Sequence, residues 1–166
     1  MGFVPAGVFT RFELQDADLT LAPGQLQVQP LEDTPAAWNA SEGVALTILA
    51  LLPETPLQAF GINVGLDLDE TAEVRSVLDL TDVKPLAGLG ATPELLAVSR
   101  RLRLDEHVVN VNVSRSDGTT RLDANHHFET PNARTAAEVL KGTVSRAVAL
   151  TFKIASIAYG ARGQEN

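Results

Sequence analysis

Alternating apolar and polar residues predict strands near the start of the chain. Residues 7–14, GVFTRFEL, alternate with the period of two that is typical of a β-strand. The next segment, DLTLAPGQLQVQ at residues 18–29, contains a Pro-Gly pair that favours a tight turn. This turn places Leu21 opposite Leu26, so we expect a hairpin with one apolar side.

An alanine-rich segment after residue 34 predicts the first helix. Thr34 suits the N-cap position and Pro35 suits the first helical position. The apolar run at residues 44–52 is about half as long as a bilayer span requires. We therefore interpret it as part of a core helix that continues to Leu52.

Residues 57–70 contain the clearest predicted strand, because every second residue from 60 to 68 is apolar. Its other face carries Ala59, Gly61, Asn63, Gly65 and Asp67. Glycine weakens a strand unless something approaches the backbone closely. We expect a helix or a neighbouring chain against this face, with a bound ligand or a bulge as alternatives. Asp69 or Thr71 is then expected to cap a short helix, with a cation site near these acidic residues as the alternative.

Residues 96–105 and 106–129 predict three further strands, the last two joined by Asp117-Gly118. This dipeptide favours a two-residue hairpin turn, which fixes the register of the two strands. On one side of the predicted ribbon Val109 faces His126, and that side is mostly apolar. The other side is polar and places His127 opposite Val108.

The two adjacent histidines in LDANHHFET, residues 122–130, therefore point to opposite faces of a strand. From a regular strand, His126 and His127 cannot ligate one metal ion. His107 and His126 are diagonal neighbours, and they suit a zinc ion if a carboxylate reaches them from elsewhere. We favour the alternative that both lie at the edge of the core with hydrogen-bond partners.

The polar side of this hairpin is the predicted binding surface. It carries Asn110, Asn112, Asp123, Asn125 and His127. Asn and Asp are uncommon in strands, so this strip suits ligand binding or proton transfer by Asp123 and His127. A solvated sheet face is the bland alternative, and a buried polar network that also includes Asn63 is another.

The C-terminal segment predicts one long helix. A capping box, Thr135 to Glu138, starts it, and the apolar pattern continues to Tyr159. Val148, Phe152 and Tyr159 lie away from the main apolar stripe, which ends at Ile157, so this half of the helix is apolar nearly all round. We expect these three residues to form a subunit interface, with burial inside the same chain as the alternative.

Composition narrows the function classes. The 166 residues carry a formal net charge of -8, with pI near 4.8, which disfavours a nucleic-acid partner. The densest basic segment, residues 99–103, is divided between two strand faces. The absence of cysteine excludes disulfides, thiolate metal sites and thiol nucleophiles. No targeting segment or membrane span is recognisable, so we expect a cytoplasmic protein that needs no membrane and no cofactor.

These patterns together predict one α+β domain over residues 1–166. We expect a mostly antiparallel sheet with N-terminal and C-terminal β-hairpins, packed by a long C-terminal helix and one or two shorter helices. No catalytic or phosphate-binding motif is present. We expect a non-catalytic protein-binding or assembly subunit that self-associates or binds another subunit. The alternatives are an enzyme or metal-dependent hydrolase that uses Asp123 and His127, and a small-molecule carrier.

Overall fold

A computed structural model describes residues 10–79 and 94–161 and confirms the α+β class. The strands are β1 Thr10–Glu13, β2 Ala17–Ala22, β3 Gln25–Pro30, β4 Ala59–Leu68, β5 Leu95–Arg103, β6 Val108–Ser116 and β7 Thr119–Glu129. The helices are α1 Pro35–Leu51, α2 Ala72–Leu78, α3 Ala133–Leu140 and α4 Thr143–Tyr159. In these described ranges no helix combines the length and the apolar character that crossing a membrane requires.

The chain divides into two compact units. Of the described residues, 10–58 and 130–145 belong to the first unit, and 59–79, 94–129 and 146–161 belong to the second. The first unit holds an antiparallel three-stranded sheet of order β1-β2-β3, with α1 and α3. The second holds an antiparallel four-stranded sheet of order β4-β7-β6-β5, with α2 and most of α4. That residues 1–166 fold as one domain stays a prediction.

The first unit confirms the N-terminal hairpin and the first helix. Leu21 pairs with Leu26 across β2 and β3, as the turn residues predict, and β1 adds to the free side of β2. Residues 7–9 of the first predicted strand lie outside the described residues. The Thr34 hydroxyl caps α1 by accepting a hydrogen bond from the backbone N–H of Ala37 at 3.2 Å. α1 packs against α3 and against β2 and β3.

In the second unit the predicted register of the last hairpin is confirmed. Asp117 and Gly118 both have positive φ, 52° and 78°, which is the geometry of a hairpin turn whose twist matches its strands. Val109 pairs with His126, and the neighbouring residues follow the same register. β4 pairs with the other side of β7, so β6 and β7 lie at the centre of the four-stranded sheet.

One face of the four-stranded sheet is covered by α2 and the C-terminal half of α4. The buried core between them consists of Leu68, Val74, Leu78, Val109, Val111, Val113, Leu122, Ala124, Ala155 and Tyr159. Thr71 caps α2, as predicted, and its hydroxyl also donates to the backbone carbonyl of Tyr159 at 2.8 Å. The second face of this sheet carries the alternate residues of each strand.

The prediction of one continuous C-terminal helix is wrong. The segment forms α3 and α4, which are separated at Gly142 with φ of 67°. Asn132, rather than Thr135, is the N-cap of α3. The Glu42 carboxylate of α1 accepts hydrogen bonds from the backbone N–H of Gly142 at 2.6 Å and of Val144 at 3.1 Å. Because this cap comes from a distant part of the chain, local spacing does not reveal the break.

Candidate functional site

The face of the four-stranded sheet opposite α4, here called the polar face, carries two rows of polar side chains. The first row crosses the strands through Asn63, Asn125, Asn110 and Arg101. The second row consists of Gly65, Asp123, Asn112 and Ser99. Residues that pair across antiparallel strands point to the same face, so the fold brings four of the five predicted binding residues together.

Hydrogen bonds connect the amides of the first row. Asn125 Nδ2 donates to Asn63 Oδ1 at 2.6 Å, and Asn110 Nδ2 approaches Asn125 Oδ1 at 3.5 Å. In the second row Ser99 Oγ donates to Asn112 Oδ1 at 2.9 Å. These bonds form a network that joins strands, which is one of the alternatives that the sequence left open. The network is partly exposed rather than buried.

Asp123 is held by an arginine and not by His127. Arg121 Nε donates to Asp123 Oδ1 at 2.9 Å, and Arg121 Nη1 lies 3.4 Å from Asp67 Oδ1. The hydrogen bond to Asp123 and its charge raise the pKa of Arg121 above its ordinary value. His127 lies beyond the Asn125 row, two rows from Asp123. It is paired with Gly61 and Val108, and its side chain is half-buried. The fifth predicted binding residue is therefore on the same face but outside the two rows.

The glycines of β4 make room for side chains of β7. A Cβ added to Gly65 would lie 2.1 Å from Arg121 Nη2, and one added to Gly61 would lie 2.9 Å from Asn125 Nδ2. In the part of the chain that the structure describes, the expectation of a helix packed against these glycines is therefore wrong, whereas a neighbouring chain on this face stays a prediction. Side chains of the adjacent strand occupy the space instead.

The two rows line a depression of about 630 Å³. Arg101 is part of its lining, and Arg103 lies two residues further along the same face of β5. Within the described residues, 10–79 and 94–161, the guanidinium groups of Arg101 and Arg103 make no ion pair and no side-chain hydrogen bond. Arg100 points to the covered face, where it donates to the Tyr159 hydroxyl at 3.3 Å. The predicted alternation of this basic segment is thus present.

The covered face contains the other histidine of the adjacent pair. His126 is fully buried, with Nδ1 3.2 Å from His107 Nε2 and Nε2 2.8 Å from Thr151 Oγ1. Burial and the neighbouring His107 lower the pKa of His126 to about 4. His107 also stacks on Phe128, with ring centroids 4.5 Å apart. In the described ranges, no group of three or more His, Cys, Asp or Glu is placed to hold a metal ion.

The three predicted interface residues do not share an exposed surface. Val148 is 7% exposed and Tyr159 is 2% exposed in the single chain, while Phe152 is half-buried. Tyr159 belongs to the core of the second unit, so burial within the same chain, the alternative prediction, applies to it. The buried side of α4 follows residues 147, 151, 155 and 159, whereas the predicted stripe ended at Ile157, which is 76% exposed.

Sequence reasoning missed several residues that the structure brings to these sites. Arg101 and Arg121 were not predicted to bind, although alternation along their strands places both on the polar face. Thr151 was not predicted to belong to either site. Its position four residues after Ala147 is the signal that identifies its place on the buried side.

Three comparisons with known proteins were made. A scan against protein-family models, a search of curated proteins and a search of solved structures each found no match. The function is therefore inferred from the geometry of the two faces of the four-stranded sheet.

Proposed function

We propose that this protein is a non-catalytic protein-binding subunit whose binding surface is the polar face. The partner presents an acidic segment to β5 and to the depression beside it. The observation that carries this proposal is the pair of arginines, Arg101 and Arg103, which have no side-chain partner in the described ranges. They stand out in a chain whose formal net charge is -8. Guanidinium groups bind carboxylates with two parallel hydrogen bonds, so an acidic partner fits them.

The hydrogen-bonding capacity left on the polar face is rich in donors. Within the two rows, the oxygens of Asn63 and Asn112 accept bonds, which leaves their amide N–H groups free to donate. Arg101 adds a guanidinium that can only donate. Carboxylate side chains and peptide carbonyls supply acceptors, so an acidic peptide segment complements this surface in both charge and hydrogen bonding.

The glycines of β4 contribute adaptability to the same surface. The group above Gly65 is the far end of the Arg121 side chain, which is 53% exposed. A long exposed side chain can change rotamer at small cost, and its movement would uncover backbone next to the depression. A partner that attracts Arg121 away from Asp123 would therefore gain room as well as a third guanidinium.

The alternatives have less support. An acid–base enzyme needs Asp123 and His127 to cooperate, whereas Asp123 is bonded to Arg121. A carrier of the predicted type needs a pocket between α4 and the sheet, whereas the depression lies on the opposite face. Self-association stays a prediction, and a contact on the C-terminal half of α4 would now use Ile157 in place of Val148 and Tyr159. A cytoplasmic location also stays a prediction.

A peptide titration tests the proposal. The probe is a short peptide of alternating glutamate and serine, and its control is the same peptide with glutamine in place of glutamate. We expect the double variant Arg101→Glu, Arg103→Glu to bind the acidic peptide roughly tenfold more weakly or worse, because two charge pairs become repulsive. Added salt should weaken wild-type binding.

Lys153→Glu is the matched control for this titration. It makes the same change of charge per site on an exposed residue of α4, which packs on the opposite side of the sheet. This variant should retain most of the wild-type affinity. Equal losses in both variants, or equal binding of the glutamine peptide, would contradict the proposed site.

A further inference from the structure

A chain of hydrogen bonds connects His107, which directly precedes β6, to β7 and α4 through the buried histidine. We propose that His107, His126 and Thr151 form a pH-sensitive relay, which fastens α4 to the four-stranded sheet when neutral and weakens this attachment when it takes up a proton. The proposal concerns the covered face and is independent of ligand binding on the polar face.

The Thr151 hydroxyl sets the direction of the relay. Its single hydrogen is donated to the backbone carbonyl of Ala147 at 2.9 Å. Thr151 Oγ1 must therefore accept from His126 Nε2–H across the 2.8 Å contact. A neutral His126 with the proton on Nε2 has a lone pair on Nδ1, which accepts from His107 Nε2–H at 3.2 Å. Every donor in the relay has one acceptor.

Among the described residues, the surroundings of His126 provide no negative group to compensate for a positive charge. Its cross-strand neighbours are Ile62 on β4 and Val109 on β6, and the ring is fully buried. His107 is the titratable group that faces it. Glu106 lies beside His107 and favours the charged form of that residue. The charged residues of α4, Arg146 and Lys153, are both basic and exposed. This helix therefore supplies no carboxylate to a charged His126.

A second proton on His126 forces the relay to rearrange around a buried charge. His126 Nδ1–H and His107 Nε2–H would then be two donors facing each other. His107 can respond by carrying its own proton on Nδ1, so that its Nε2 accepts from His126. The two rings therefore stay bonded after one added proton, but a second added proton forces them apart. The charge would still be buried away from water, which is costly without a counter-ion.

The direction of the pH effect follows from the lowered pKa values. Burial and His107 depress the pKa of His126 to about 4 in the folded chain, and burial lowers the pKa of His107 despite Glu106. In the unfolded chain both return to about 6.5. The unfolded state therefore binds more protons between these values, so the stabilisation is complete above about pH 6.5 and is lost progressively as the pH falls toward 4.

Urea unfolding at pH near 7.5 and near 5 tests the relay. From the depressed pKa of His126 alone, the folding equilibrium constant of the wild-type chain should fall by about 30-fold at the lower pH. His127→Gln removes the adjacent histidine on the polar face and should leave this loss unchanged. His126→Met fills a similar volume without titrating, so it should remove most of the loss. A wild-type equilibrium constant that is flat over this range would overturn the proposal.

The ring nitrogens provide a second readout if His126→Met does not fold. Nitrogen NMR of the wild-type imidazoles should show His126 neutral, with its proton on Nε2, at both pH values. A proton on Nδ1 at neutral pH, or a charged His126 at pH near 5 with unchanged stability, would overturn the relay. Amide hydrogen exchange should also rise in residues 147–159 before it rises in β6, because the attachment of α4 is what the proton weakens.

Discussion

The two faces of the four-stranded sheet place adjacent residues of one strand in different environments. His126 is fully buried under α4 and bonded to His107 and Thr151, whereas the next residue, His127, lies half-buried on the polar face. Leu122 and Asp123 show the same contrast, with one side chain in the core and the other in the polar rows. A period of two is enough to separate core side chains from polar-face side chains along one strand, because successive side chains point to opposite faces of the sheet.

The largest expected difference between the faces is in side-chain truncation. Leu122→Ala should lower the free energy of unfolding by about 3 kcal/mol, since it removes a fully buried side chain and leaves a cavity. Asp123→Ala should change it by about 0.5 kcal/mol or less, because its pair with Arg121 is half-exposed. Urea unfolding of both variants measures the contrast. Equal losses would show that the polar face is also structural.

A smaller effect is expected for the helix hydroxyl in the relay. Thr151→Val should cost about 1–3 kcal/mol at neutral pH, because His126 Nε2–H loses its acceptor in a buried site. Thr47→Val on α1 is the matched control, since Thr47 makes the same bond to the carbonyl four residues earlier but is exposed. That variant should stay within about 0.5 kcal/mol of wild type. Thermal or urea unfolding compares the two, and similar costs would argue against the relay.

A small stability effect is expected at Gly65, which lies under the Arg121 side chain on the polar face. Gly65→Ala should change the free energy of unfolding by less than about 1 kcal/mol, because the Arg121 side chain can move away and alanine suits a strand better than glycine. The same change should weaken binding of the glutamate-serine peptide, since the added methyl group occupies part of the depression. Unfolding and peptide titration on one sample separate these effects. A large loss of stability would mean that Arg121 cannot rearrange.

Sequence predicted the hairpins and their faces because both depend on nearby residues. Asp117-Gly118 fixes a register, and alternation then assigns each side chain to a face, so the pairing of Val109 with His126 was correct. The first helix was predicted for the same reason, since Thr34 and Pro35 are local start signals.

Features that depend on distant residues were not predictable. Glu42 caps the start of α4 across about a hundred positions of sequence, so the break at Gly142 was missed and the predicted apolar stripe was displaced. The bond between His126 and Thr151 and the place of Arg121 above Gly65 likewise require tertiary structure. The polar strip was recognisable because asparagine and aspartate are unusual in strands, but Arg101 and Arg103 beside it were not singled out.

Mapping the peptide contact by amide NMR tests the central claim, that the polar face is the binding surface, most directly. Addition of the glutamate-serine peptide should shift the backbone and side-chain amide signals of Asn63, Ser99, Arg101 and Asn112, and leave those of α2 and α4 in place. Shifts concentrated around Ile157 on α4, or an unchanged spectrum at peptide concentrations that saturate the titration, would contradict the account.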